Sequence, residues 1–219
     1  MKKYLPVLER CPLFDGIAPE HKAAMLGCLG ARVIAYEKNE AIFMEGDPAF
    51  QVGVVLSGSA QIVKEDFYGN RSIVTSVMPS QLFGESFACA DIESMPVSVI
   101  AAEKSEIMLI DCRKITVTCS SACSFHSRMI LNLLRVVAAK NLVFNQKLEI
   151  VSKRTTRDKL MAYLLDQAKQ HGSAEFTIPF DRQALADYLG VERSALSAEI
   201  SRMRAEGVFE NTKSTFRLL

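Results

Sequence analysis

The chain has 219 residues, 49% of them hydrophobic, and a net charge of +1. That is room for two ordinary packed domains, and any footprint on nucleic acid must be local rather than global. Six cysteines at irregular intervals, none in a CxxC pair, do not make a secreted disulfide framework, so reduced cytosolic thiols are expected.

The opening stretch MKKYLPVLERCPLF is interrupted by Pro6, Glu9 and Arg10, which is not the pattern of a signal peptide. No uncharged apolar run is long enough to cross a bilayer, so a cytoplasmic protein with no membrane partner is expected. Residues 1–30 read as a short helical lead-in. Pro19 suits a first helical turn, and Ala23, Ala24, Met25, Leu26 and Leu29 supply an apolar face. Cys11 and Cys28 read as buried structural thiols.

From Ala31 to Cys112 the period changes. The segments ARVIAYE, AIFMEG, QVGVVLSG, SAQIVKED, RSIVTSV, PVSVIAA and EIMLID are short and β-rich. Turn signals separate them at Lys38-Asn39, Gly46-Asp47-Pro48, Gly58, Gly69-Asn70 and Met78-Pro79. Many short strands at near-regular spacing predict an antiparallel sandwich or jelly roll, whose mouth can hold a small ligand. A metal enzyme on such a roll needs histidines and carboxylates on its strands. The histidines are His21, His126 and His171, and none lies in this region. No Ser–His–Asp, HExxH or phosphate-loop pattern occurs either, so no enzymatic activity and no catalytic residues are expected.

From about Ser121 to Val151 the pattern is helical. Ile130, Leu134, Val137, Asn141, Phe144 and Leu148 step by fours and threes, which is a coiled-coil seam. A second stripe of Met129, Leu133, Val136 and Val143 is expected to cover the strand domain. Two stripes predict a helix that also joins a second copy, giving a parallel homodimer with Asn141 fixing register. Cys119, Cys123 and His126, spaced by four and three, fall on one side of the helix start. They could share a metal or form a redox switch, or they could be small buried groups. No metal site is assigned, and the cofactor is left unknown.

Ser152-Lys153-Arg154-Thr155-Thr156 reads as a hinge. Helix 156–169 follows, with Leu160, Tyr163, Leu164, Leu165 and Ala168 inward, and stops at His171-Gly172. After a short strand over 176–179 comes DRQALADYLGVERSALSAEISRMRAEG. Leu185, Ala186, Leu189 and Val191 are the apolar side of a first helix and turn, Gly190 reverses the chain, and Leu196, Ile200 and Met203 recur on a second helix. The exposed face carries Arg193, Ser194, Ser197, Arg202 and Arg204. A helical hairpin shares this periodicity, but the Ala–Gly–Leu spacing with a basic face predicts a helix-turn-helix. Residues 208–210 and 215–219 flank a turn and read as a wing. Lys153, Arg154, Arg157, Arg193, Arg202, Arg204, Lys213 and Arg217 supply charge for a phosphate backbone. The chain thus divides into a sensor (1–120), a dimerisation helix (121–152) and a reader (153–219), an α+β architecture.

In this order PLFDGI (residues 12–17), FMEGD (43–47), VLSGSAQI (55–62), FGE (83–85) and the reader motif resemble the Crp–Fnr family of bacterial transcription regulators. The resemblance implies a cyclic-nucleotide-binding-like jelly roll, a long dimer helix and a C-terminal winged helix-turn-helix. It implies a homodimer on a two-fold symmetric double-stranded operator, with RNA polymerase as a further partner. It places the DNA-reading positions on Arg193, Ser194, Ser197 and Ala198, with Arg182, Arg202 and Lys213 beside them. Arg193 is the candidate for a bidentate guanine contact. In members that bind cyclic AMP, FGE is followed by an Arg-Ser or Arg-Thr pair for the cyclic phosphate. By count from Glu85 that pair falls on Pro96 and Val97. Proline offers an anion neither charge nor N–H, so cyclic AMP is not the expected effector. Gly84, Glu85, Ser86, Pro96, Val97 and Ser98 are the expected lining for an unidentified small molecule. The cysteine-rich N-terminus of iron–sulfur members is missing. A haem on His126, or a thiol switch, stays open as an alternative, as does a scaffold protein that does not read DNA.

Overall fold

A computed structural model describes residues 2–65, 67, 71–117 and 124–219. By internal contacts the chain divides into two compact units, Met1–Ala139 and Lys140–Leu219. No helix among the described residues is long and apolar enough to cross a membrane.

The first unit opens with helices α1 (Leu5–Glu9) and α2 (Pro19–Cys28). Strands follow: β1 (Arg32–Tyr36), β2 (Ala41–Phe43), β3 (Gln51–Ser57), β4 (Ala60–Glu65), β5 (Arg71–Val77) and β6 (Leu82–Phe83). Helix α3 (Glu85–Cys89) separates these from β7 (Ser98–Ala101) and β8 (Ser105–Asp111), and α4 (Cys112–Thr116) closes the roll. Two four-stranded antiparallel sheets, ordered β1-β8-β3-β6 and β2-β7-β4-β5, make the expected β-roll. One core between the sheets gathers Phe43, Val55, Phe83, Met95, Val99, Ile107 and Leu109. A second, beneath β3 and β8, gathers Leu8, Leu13, Phe14, Met25, Leu26 and Leu29 with Met129 and Leu133 of the long helix α5 (Ser124–Val151). The PLFDGI segment is fastened there. Leu13 and Phe14 are buried, and Asn132 of α5 donates from Nδ2 to the carbonyls of Leu13 (3.1 Å) and Asp15 (2.8 Å).

The strand signals at the sequence level match seven strands to within two residues at either end, save for AIFMEG, which pairs only as far as Phe43. The segment PVSVIAA pairs only from Ser98, because Pro96 has no N–H to give a ladder. Two thiol and stripe expectations are corrected. Cys28 is exposed, since it falls outside the face that Met25, Leu26 and Leu29 bury, and only Cys11 of that pair is buried. Burial pushes the Cys11 thiol up to about 11. On α5 Met129 and Leu133 are buried as expected, but Val143 is exposed, so the inward stripe does not extend that far.

The second unit contains the end of α5 and helices α6 (Thr156–His171), α7 (Arg182–Leu189) and α8 (Arg193–Ala205). A three-stranded sheet ordered β10-β11-β9 is made by β9 (Glu175–Thr177), β10 (Phe209–Thr212) and β11 (Thr215–Leu218). Helix α6 has both its start and its stop written locally. Thr155 caps α6 through Oγ1 to the Asp158 N–H (3.0 Å), and Gly172 ends it in the left-handed region. Ile150, Leu160, Leu164, Leu185, Leu196, Ile200, Met203, Phe209 and Phe216 form one core.

Candidate functional site

The helix-turn-helix is α7, the turn at Gly190 and α8. Asp181 Oδ1 accepts the Ala184 N–H at 2.8 Å and fixes the start of α7. Gly190 takes φ +61, ψ +52 and ends it. Lys159 of α6 holds the turn from outside, donating to the Leu189 and Gly190 carbonyls at 3.3 and 3.4 Å. These are the carbonyls a helix terminus leaves unpaired, and a cation there also meets the negative end of the helix dipole. The sequence pattern did not single out Lys159.

On α8, Leu196, Ile200 and Met203 face inward with Ala186 of α7 opposite in the same core. Arg193, Ser194 and Ala198 are exposed and Ser197 is half-exposed. The first two turns of α8 therefore present the four expected reading positions to solvent. Glu192, the residue before it, makes no side-chain cap, so its carboxylate is not committed to the helix end.

The arginines of the reader divide into two groups. Glu199, on the buried face of α8, has a side chain only 6% exposed. It pairs with Arg202 one turn on and with Arg157 of α6 at 3.6 Å. Arg157 also bridges to Glu206 at 2.7 Å, which raises its own pKa and holds the Glu206 carboxyl below its usual range. Arg202 is thus tied into an intramolecular network, as is Arg217 by Glu210 at 3.8 Å. Among the described residues Arg154, Arg193, Arg204 and Lys213 make no ion pair. Lys213 sits at the tip of the β10–β11 wing with φ +52. Arg182 is half-buried, and desolvation lowers its pKa.

In the first unit the FGE segment makes a strand-to-helix turn. Gly84 has φ +78, and a Cβ there would lie 2.8 Å from the Gln51 carbonyl oxygen. Only glycine fits that turn without strain. The tip of the Phe83 ring lies against Gly53, where a Cβ would come within 2.1 Å of it, and the ring packs edge-on against Phe43 at 5.6 Å. Glu85 is buried and accepts from Ser86 Oγ at 3.3 Å. The FMEGD segment turns alongside residues 94–98. Gly46 N–H donates to the Met95 carbonyl (2.9 Å), Met95 N–H to the Asp47 carbonyl (2.8 Å), and Glu45 N–H to Ser98 Oγ (2.9 Å). Of the expected lining, Gly84 and Glu85 are buried, Val97 and Ser98 are half-buried, and Ser86 and Pro96 are exposed. The buried side chain of that turn is Met95, one residue before the counted position, and it had no sequence signal beyond being apolar.

Along α5, Leu134, Asn141, Phe144 and Leu148 are exposed, Ile130 and Val137 half-exposed. Leu131 and Leu142 widen the same face. Asn141 Oδ1 accepts from Asn145 Nδ2 at 2.8 Å within the helix. His126 is buried, with Nδ1 lacking a hydrogen-bond partner among the described residues. Cys119 and Cys123 lie outside the described residues, and no group of three metal-ligating side chains occurs among those described.

Two family models match the chain in order: a cyclic nucleotide-binding domain over residues 33–121 and a Crp-like helix-turn-helix domain over residues 158–219. The chain belongs to the Crp–Fnr family of transcription regulators. It is a DNA-binding regulator with an effector-binding domain, in a family whose members are not enzymes. Similar Crp–Fnr relatives include the transcriptional activator protein FnrA of Stutzerimonas stutzeri, 23% identical over 84% of this chain and 75% of that one. The cyclic AMP receptor protein of Thermus thermophilus is 24% identical over 90% of this chain and 87% of that one. The crystal structure of the catabolite activator protein of Thermus thermophilus shares the fold, with a TM-score of 0.56, 22% identity and coverage of 95% of this chain and 93% of that one.

Proposed function

We propose that this regulator acts as a homodimer on a two-fold symmetric operator and that a small molecule other than a cyclic nucleotide sets its affinity for DNA. The observation that carries the reading is the N-terminal half of α8, where Arg193, Ser194, Ser197 and Ala198 reach solvent from a helix whose other face is locked into the core. Such a helix fits the major groove, and Arg193, with no ion pair among the described residues, is suited to the two acceptors of a guanine edge. The exposed apolar face of α5 supports pairing of two copies. A parallel pair would set two readers about one helical turn of DNA apart.

The effector reading rests on the turn that holds Met95. A cyclic phosphate needs a cation or several N–H donors, because a buried anion without them is costly. Here the inward side chain is Met95, and buried Glu85 adds a carboxyl group beside Gly84. A thioether side chain offers an anion neither charge nor an N–H, which supports an uncharged ligand over an anion. An effector acts by binding the DNA-competent state better than the other state.

The test is selection of bound duplexes from fragmented host DNA, with protein purified without oxygen, with and without metabolite extract. Enrichment of a palindromic motif is expected. Binding that is indifferent to sequence at every salt concentration would overturn the reader assignment. Calorimetric binding of cyclic AMP at micromolar affinity would overturn the effector reading. A thiol, metal or haem sensor built on Cys119, Cys123 and His126 is the second reading, favoured by buried His126, whose Nδ1 has no hydrogen-bond partner among the described residues. Metal analysis and an anaerobic absorption spectrum test it.

A further inference from the structure

Two cysteines with no recognisable sequence motif meet in the first unit. Cys89 is the last residue of α3 and is exposed; Cys112 is the first residue of α4 and is buried. They are 23 residues apart in sequence, and their Sγ atoms lie 3.8 Å apart in an S–H···S contact. Cys112 is held in place on both sides. Its N–H donates to the Phe50 carbonyl at 2.9 Å, and Asp111 before it caps α4 by accepting the Arg113 N–H at 3.0 Å. Cys89 ends a five-residue helix whose start is the Gly84–Glu85 turn.

We propose that Cys89 and Cys112 are a redox modification site, at which a peroxide converts the two thiols into an intramolecular disulfide that staples α3 to α4. A disulfide bond is about 2 Å long. The sulfurs have therefore to close by less than 2 Å, a distance that side-chain rotation and a small shift of the short α3 supply. The thiols are differentiated in the way the chemistry needs. The contact with Cys112 lowers the Cys89 pKa, and the same contact with burial raises that of Cys112. Cys89 is thus the exposed thiol that ionises first, and the thiolate is the reactive form. Its sulfur attacks one peroxide oxygen, the O–O bond breaks, and Cys89 becomes a sulfenic acid as the leaving oxygen departs as water. Cys112 sulfur then attacks Cys89 sulfur. The S–S bond forms, the S–O bond breaks, and the hydroxide takes the Cys112 proton to leave as a second water. Two thiols lose two electrons and one hydrogen peroxide gains them.

Neither cysteine belongs to the expected effector lining or to the reader. Its consequence falls on α3, which begins at the lining of the expected effector pocket.

The test uses the full-length protein, reduced, freed of reductant and treated with near-stoichiometric hydrogen peroxide. Remaining thiols are then blocked with N-ethylmaleimide in denaturant and the digest is mapped by mass spectrometry. A Cys89–Cys112 linked peptide, reversed by dithiothreitol, is expected. In Cys89→Ser the link disappears and Cys112 stays alkylatable. In Cys112→Ala a dimedone-reactive sulfenic acid accumulates on Cys89. The proposal is overturned if both residues of the wild-type protein remain alkylatable after peroxide. It is equally overturned if Cys89 advances to sulfinic acid without forming the link, or if either cysteine pairs instead with Cys11, Cys28, Cys119 or Cys123. The wild-type map decides the matter alone should Cys112→Ala fold poorly. Loss of DNA or effector binding leaves every one of these readouts intact.

Discussion

Leu134→Ala tests the paired-helix reading most directly. Leu134 is 63% exposed in the single chain, on the same face of α5 as Phe144 (66%) and Leu148 (64%). Burying a whole leucine side chain is worth about 1.5–3 kcal/mol, so roughly two-thirds of that, about 1–2 kcal/mol, remains to be gained by covering it. A two-fold interface uses the residue once in each copy, doubling the effect to about 2–4 kcal/mol. At 1.4 kcal/mol per decade the dimer dissociation constant should rise about 30- to 700-fold. Sedimentation velocity over a dilution series measures it. Folding of the single chain should be little affected, because the side chain is already mostly in water, and circular dichroism at a concentration where both proteins are monomeric checks that. An unchanged dissociation constant in Leu134→Ala, or a wild-type protein that is monomeric at high micromolar concentration, would refute the seam.

Arg193→Ala should cost about 1–3 kcal/mol in operator binding and relax specificity at one base pair per half-site, read by competition with single-base operator variants; uniform loss on all sequences would make Arg193 a phosphate contact instead. Gly84→Ala should lower the stability of the first unit by about 2–3 kcal/mol in urea unfolding, combining a left-handed backbone with a Cβ 2.8 Å from the Gln51 oxygen; a change below about 0.5 kcal/mol would show that the turn relaxes freely. The Asp111 carboxyl is held below its usual range by its hydrogen bonds with Arg113. Its contribution is therefore fully present above the unfolded value of about 3.9 and is lost as pH falls through the lower folded value. Asp111→Asn, which keeps the cap acceptor, should flatten the acid limb of the stability profile, and an unaltered limb would mean the pair contributes nothing.

What was legible in the sequence was whatever rests on periodicity and turn chemistry. Alternating segments bounded by Lys38-Asn39 or Gly58 became strands because both signals are local. Asn39 and Gly58 do take positive φ. Gly190 and Gly172 stop their helices for the same reason. Short elements such as α3, α4 and β6 carry no period to detect, being two to five residues long. Counting along the chain placed the effector turn at Pro96, but which side chain enters the roll depends on how the FMEGD turn pairs with residues 94–98, and that puts Met95 inside. Pairing across distance was equally hidden. Nothing in the spacing of Cys89 and Cys112 brings them together; the roll does. Likewise the basic face of α8 was readable, but not that Glu199 would turn inward and claim Arg202 and Arg157.

That last point changes the electrostatics of DNA binding in a measurable way. Eight basic residues of the reader could in principle face phosphates. Arg157, Arg202, Arg217 and Lys153 already have carboxylate partners, whereas Arg154, Arg193, Arg204 and Lys213 have no ion pair among the described residues. With Arg193 given to a base edge, three free cations per reader remain, six for a symmetric pair. Each neutralised phosphate contributes about −0.9 to the slope of log affinity against log salt, so a slope near −5 is expected. Were every cation but Arg193 engaged, fourteen contacts would give about −13. A titration of operator binding from low to moderate salt separates these values. Glu199→Gln sharpens the comparison. It releases Arg202 and weakens the hold on Arg157, so the slope should steepen by about 2 for each arginine that transfers to DNA in both readers. A wild-type slope near −13, or a Glu199→Gln slope no steeper than wild type despite an intact fold, would show that the buried glutamate does not ration the charge the reader presents to DNA.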